Sequence, residues 1–420
     1  MPLPASTSAS NLVTCFEPGI TVYVQGLSGE SLPLYRALQA NPGAAAGVRF
    51  VGVHFPGINR SDYLGLHPSA QQRAYFMLPG LRDALLSERT ELLPLDYPGI
   101  FSDLAEHVRI DIAIAQVAPP DAHGICSLGP CVDFLPAVWR KAGLRIAHIN
   151  PRLPPTRSSF AVHESDFDAV FEEDAELLTY DGGEPSPALQ RHAALIANLV
   201  RDGDTIECGI GKLPAAVLAA LSSHRGLRIY SGLVTAHAGM LVDCGAIRGD
   251  GAIQAGVALG DEDWYRRTST DATFYFRPVN ETHDVRRIAE IRNFCAINSA
   301  VEVDLLGQVN ADYVRGRLIA GVGGLPAFAS GARLSAGGRS IIALPATTDD
   351  AVRSRIVPLL TPGCSVAIPR HQADYVVTEH GVAELRHLPL HARARALIAI
   401  AAPQFREDLE RAWSDVSKNF

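Results

Sequence analysis

The chain has 420 residues, 47% of them apolar and 20% charged, with a formal net charge of −8 at pH 7. That length accommodates two or three full-sized cores, and the composition is that of an ordered globular protein. The acidic balance argues against nucleic acid as a partner, and no window approaches the run of about 20 apolar residues that a membrane helix needs.

The opening MPLPASTSASNLVTCFEPG has neither the basic nor the apolar region of a secretory signal. Seven cysteines are scattered without a CxxC pair, and Cys126 and Cys131 lack a His pair at zinc-finger spacing. Reduced thiols, no metal site and a cytoplasmic location are expected from this.

From Ile20, ITVYVQG reads as a buried strand, and the following GLSGESLPLYRALQA as a turn entering a helix. VRFVGVHF (48–55) is the next strand, followed by a Pro/Gly loop through Asn59. A helix over Leu81 to Ser87, a strand over Thr90 to Leu95 and a helix from Ile100 come next. IDIAIAQVA (110–118) is a near-continuous apolar run with β-branched residues, the mark of a parallel strand covered on both faces. The prolines, glycine and Asp121 of PPDAHGICSLG (119–129) then forbid regular structure. LRIAHINP (144–151) is another strand, ending in the irregular RLPPTRSSF, and Val170 to Leu178 reads as an edge or linker segment. The turn-rich YDGGEPSP (180–187) marks a domain boundary, dividing the chain into 1–185 and 186–420.

The second half repeats the pattern. A helix over Ser186 to Arg201 precedes a strand over Thr205 to Cys208, a turn on Gly209-Ile210-Gly211, and a helix from Pro214 to about His224. A strand over Leu227 to Ser231 follows, with a small-residue turn at Gly232. IQAGVALG, ATFYFRPV, a helix over Asp284 to Arg292, AINSAVEVDLLGQV, IAGVGGLPAFASGA, IIALPA, IVPLLTPG, ADYVVTEHG and a helical region from His391 complete the chain. Strands alternating with helices imply two tandem open α/β domains with mostly parallel sheets. Strand, glycine turn and helix leave backbone N–H groups directed outward at a helix start, where an anion can sit. Here the turn is neither a Walker loop nor a dinucleotide fingerprint: Lys212 follows the wrong glycine spacing, and Pro214 stands where a third glycine belongs. By itself the turn is equally well a tight βα connection.

QVAPPDAHGICSLG, NPRLPPTRSSF, GIGKLP, AINSAVEVDLLGQVNADYV, AGVGGLPAF, GGRSIIALPAT, SRIVPLL and DYVVTEHGVAEL resemble the acetyl-CoA hydrolase/transferase family, over roughly residues 90 to 415. The resemblance implies a CoA-transferase-like fold with a site between its domains and a homodimer or homotetramer. It also implies acyl-CoA as substrate, a small carboxylate as possible acceptor, coenzyme A as substrate or product, and no permanently bound cofactor. The family's nucleophile is a glutamate in a run like I-H-T-E-M-F-S-D-G. The corresponding run here is Ile229-Tyr230-Ser231-Gly232-Leu233-Val234-Thr235-Ala236-His237, so Gly232 stands at the glutamate position, and no Glu occurs between Glu207 and Glu262.

Covalent catalysis by that route needs a carboxylate there. A glycine offers none and is expected to leave a void. Water activated by another group, a substrate carboxylate seated in the void, binding without turnover, and transfer through a relocated nucleophile all remain open. His237, five residues on, is a candidate base or a solvated loop histidine. Glu207 is a candidate base with a raised pKa if buried, or a structural partner of Lys212 or Arg228. His123, Glu379 and His380 also lie near carboxyl ends of strands. His283 enters as a departure: the family's T-N-D/H-P run reads Thr282-His283-Asp284-Val285 here. By resemblance, Gly209, Ile210, Gly211, Lys212 and Leu213 cradle CoA. Gly321, Val322, Gly323 and Gly324 contact it from the other side and offer an N–H to the thioester oxygen; both segments also read as close-packing βα turns.

Overall fold

The computed structural model describes residues 7–183 and 186–419. The opening Met1–Ser6 and residue 185, on the amino-terminal side of the expected boundary at 185/186, fall outside that set. By internal packing the chain forms two units: Met1–Asp181 with Gly249–Thr282, and Gly182–Arg248 with His283–Phe420.

The first unit is built on seven strands: β1 (Thr21–Val24), β2 (Arg49–Val51), β3 (Gln71–Ala74), β4 (Thr90–Leu92), β5 (Ile112–Val117), β6 (Leu144–Ile149) and β7 (Ala169–Glu172). They lie in the order β4-β3-β2-β1-β5-β6-β7, and every neighbouring pair is parallel. All six residues of β5 are buried, as its unbroken apolar run demands of a strand covered on both faces. The segment read as an edge or linker supplies the edge strand β7. Sequence periodicity misses β3, whose residues are Gln-Gln-Arg-Ala. Its Arg73 is held by Asp103 through a forked pair of hydrogen bonds at 3.0 and 2.7 Å, so polar partners and not an apolar face fix that strand. Helix α1 (Leu32–Ala40) buries Leu34, Ala37 and Leu38, one stripe at helical spacing.

The second unit runs α2 (Pro187–Ala197), β8 (Thr205–Cys208), α3 (Lys212–Ala220), β9 (Arg228–Thr235), α4 (Ala236–Asp243), α5 (Val285–Glu290), β10 (Phe294–Ser299), α6 (Leu325–Leu334), β11 (Arg339–Ala343), β12 (Tyr375–Thr378), β13 (Gly381–Glu384), α7 (Leu390–Ala399) and α8 (Arg406–Val416). Six strands lie in the order β9-β8-β10-β11-β12-β13, parallel except for the closing β12–β13 hairpin. The α/β expectation with mostly parallel sheets therefore holds. The order reverses around β8, which has β9 on one side and β10 on the other, and a crevice at the carboxyl ends of such strands is where open α/β sheets hold ligands. The start of β8 is fixed by a buried ion pair between Asp204 and Arg339, with the Arg339 Nε donating to the Leu199 carbonyl at 2.8 Å.

Two local expectations change. Helix α3 begins at Lys212, ahead of Pro214, because proline fits the first turn of a helix as well as it ends one. The segment around Gly232 is not a turn: β9 continues through it to Thr235, and the φ of Gly232 lies outside the left-handed region.

Candidate active site

The carboxyl end of β8 carries Glu207, Cys208 and the glycine turn. Glu207 is 3% exposed, and its Oε2 accepts a hydrogen bond from Asn298 Nδ2 on β10 at 2.7 Å. Burial pushes its carboxyl up to about 8, against an opposing pull from the Asn298 and Ile297 hydrogen bonds. Asn298 is thus a hydrogen-bond partner of Glu207, whose carboxyl is buried as the sequence reading required of a base with a raised pKa. Gly209, Ile210 and Gly211 are half-buried, Lys212 is exposed and Leu213 is buried. Gly211 has φ +110°, a conformation that favours glycine, and caps α3 without any side-chain hydrogen bond to the first-turn N–H groups. A methyl group built at Gly209 would meet nothing within 4 Å.

The void expected beside Gly232 is filled. A Cβ built there would lie 2.9 Å from Nε2 and 3.0 Å from Cε1 of His283. One built at Gly324, the cap of α6, would lie 2.4 Å from the same Nε2 and 2.6 Å from Cδ2. The imidazole tip is therefore flanked by β9 on one edge and by the start of α6 on the other. Its ring packs on Phe328, centroids 4.7 Å apart, and is 2% exposed. Burial pushes its pKa down to about 3, so it is uncharged at neutral pH. Gly324 is thus kept small by a protein side chain, while Gly323, at φ +59°, needs glycine for its backbone. Gly321 is half-buried, and Val322 packs against the core of the second unit.

The remaining candidates are placed as follows. His237 lies in the first turn of α4 and not on a loop; it is half-buried, with Nδ1 3.5 Å from Thr235 Oγ1. Glu379 follows β12 and accepts from the Ala346 N–H at 2.9 Å, with His380 Nε2 3.7 Å from its other oxygen. His123 is exposed in the first unit, and its carbonyl lies 3.0 Å from His163 Nε2. Glu207, Asn298 and the Gly209–Leu213 turn thus share the carboxyl end of the β8–β10 pair, whereas Gly232, His283 and Gly324 form a second cluster. Sequence reasoning names His283 only as a departure from the family run and omits Asn298. The signal for His283 is a histidine in a helix-linking segment, which carries no periodicity. Among the described residues, no group of three or more His, Cys, Asp or Glu side chains is placed to hold a metal ion, and no helix is long and apolar enough to cross a membrane.

Residues 260–413 match the acetyl-CoA hydrolase/transferase C-terminal domain. Over 392 residues the chain is 34% identical to the 4-hydroxybutyrate coenzyme A transferase of Clostridium kluyveri, covering 91% of this chain and 90% of that one. It is 35% identical over 329 residues to the butyryl-CoA:acetate CoA-transferase of Anaerostipes caccae, covering 75% and 73%. The crystal structure of RipA from Yersinia pestis aligns over 98% of both chains with a TM-score of 0.89 and 26% identity. The chain belongs to the acetyl-CoA hydrolase/transferase family and is an acyl-CoA hydrolase or CoA-transferase.

Proposed function

We propose that this member of the family hydrolyses an acyl-CoA thioester with water as the nucleophile and no covalent enzyme intermediate. The observation that carries the reading is Gly232, aligned by resemblance with the family's nucleophilic glutamate, with the neutral ring of His283 in the space beside it. In this reading the Gly209–Leu213 turn and the Gly321–Gly324 turn hold CoA, and a backbone N–H at the start of α6 receives the developing oxyanion. Preorganised donors of that kind supply a few kcal/mol, roughly 3 for one hydrogen bond. Water oxygen attacks the thioester carbon, the C–S bond breaks, and CoA leaves as the thiolate. Glu207 takes the proton from water and passes it on to the thiolate. A base that titrates near 8 suits that role, and His237 is the second candidate for it. Coenzyme A is a product, and no further cofactor enters.

The names of the transferase relatives favour a second reading, in which CoA moves to a small carboxylate through a relocated nucleophile. Short-chain acyl-CoA substrates in ¹⁸O-labelled water, with and without acetate, separate the two. Hydrolysis releases CoA at a rate independent of acetate and leaves one ¹⁸O in the acid. Consumption of the acyl-CoA that requires acetate, with acetyl-CoA formed and no free CoA released, overturns the first reading.

A further inference from the structure

The backbone at Gly232 is ordinary strand, so nothing in its dihedral angles calls for glycine. What forbids a side chain there is the neighbouring ring. His283 cannot swing aside freely. Gly324 closes the opposite edge of its tip, and Phe328 covers its face from an apolar cluster with Tyr230, Phe294 and Ala296. The segment that carries His283 is pinned as well. Asp284 caps α5 by accepting from the Arg286 N–H at 2.9 Å, and Ile288 on α5 lies so close to α6 that a Cβ at Gly331 would meet it at 2.4 Å.

We infer that His283 stands in for the side chain missing at residue 232: its imidazole walls the carboxyl half of β9 and braces it against the Gly321–Gly324 turn. The inference rests on reading Gly232 as the position of the absent nucleophile. Under it, a glutamate restored at 232 cannot reach a working position while the ring is present, and removing the ring tip makes room for it. Asparagine at 283 ends where the ring's Nδ1 and Cδ2 stand, and so deletes the two atoms, Cε1 and Nε2, that crowd residue 232.

The test compares the wild type with Gly232→Glu, His283→Asn and the double variant. Each is melted, then incubated with acetyl-CoA and trapped with hydroxylamine or borohydride before peptide mass analysis. Gly232→Glu is expected to melt roughly 5–10 °C lower, as overpacking a closed site does, and to carry no adduct. The double variant is expected to recover at least half of that loss and to carry a trapped adduct on residue 232. There the glutamate oxygen attacks the thioester carbon and expels CoA thiolate, which then attacks the glutamyl carbonyl of the anhydride and expels acetate. Should Gly232→Glu not fold, a cooperative melt of the double variant is the supporting result. Wild-type melting of Gly232→Glu, an adduct formed with His283 in place, or a double variant no more stable than the single one each overturns the inference. Recovery of the melt without an adduct supports His283 as the wall and overturns the reading of 232 as the nucleophile position.

Discussion

Asn298 Nδ2 donates to Glu207 Oε2 at 2.7 Å, joining neighbouring parallel strands through their side chains. The backbone register pairs Glu207 with Ala296, so Asn298 is the next residue on the same face of β10, where a diagonal side-chain contact is reachable. Glu207 titrates at about 8 in the fold against an ordinary value of 4.5. A raised folded-state pKa contributes stability that is full below the unfolded value and is lost as pH rises through the folded one. That contribution is therefore complete below about 4.5, declines up to about 8 and is absent above. Glu207→Gln lacks this dependence. Relative to the wild type it should gain stability that grows across those limits to on the order of 5 kcal/mol, read from denaturant unfolding at a series of pH values. Parallel stability curves for the two proteins would remove Glu207 as the buried titrating group.

If Glu207 accepts the proton from water, kcat/KM in the wild type should rise with pH and level off near 8. Glu207→Gln should lose about 10²–10⁴-fold in rate, while His237→Gln keeps both the rate and the rising limb. The opposite pattern moves the base to His237.

The glycines of the two turns should separate by cause. Gly209→Ala meets open space and should leave the melting temperature unchanged while raising KM for the acyl-CoA if CoA lies against that turn. Gly324→Ala drives a methyl group into the His283 ring and should cost about 1–3 kcal/mol of stability. Gly211→Ala should cost about 1–2 kcal/mol through its backbone alone, since a Cβ at φ +110° is strained although nothing lies within 4 Å of it. A uniform response across all three would mean that these contacts do not set their tolerance.

Arg339→Met should be among the most destabilising single changes in the second unit. Asp204, 1% exposed, would be left as an uncompensated buried charge at the start of β8, a loss of about 3–5 kcal/mol. Adding Asp204→Asn should recover much of that in urea unfolding. No recovery in the double variant would assign the loss to packing instead.

The sheets were legible in the sequence where the chain is apolar on both strand faces, as over 110–118, because burial leaves no other arrangement for such a run. Gln71–Ala74 was not legible: its strand identity rests on Arg73 meeting Asp103 and on backbone pairing to β2 and β4, and neither has a local period. Gly232 suggests by composition a turn after the strand, yet the strand runs on through it to Thr235. The glycine turns were readable as turns, but the reason for Gly324 was not. It lies in a ring distant in sequence, and a missing side chain says nothing by itself about what stands in the room it leaves.

The crowding between His283 and residue 232 also bears on descent. The strand backbone at 232 accepts any amino acid, so the constraint sits in the neighbour, and two positions far apart in the chain are bound to change in order. A lineage that carries this ring cannot regain a side chain at 232 in one step without passing through a less stable protein. The expected record is a mutual exclusion: among homologous sequences, an aromatic ring at 283 and a bulky residue at 232 should not be found together. Their frequent coexistence would show that the ring yields more readily than its packing implies.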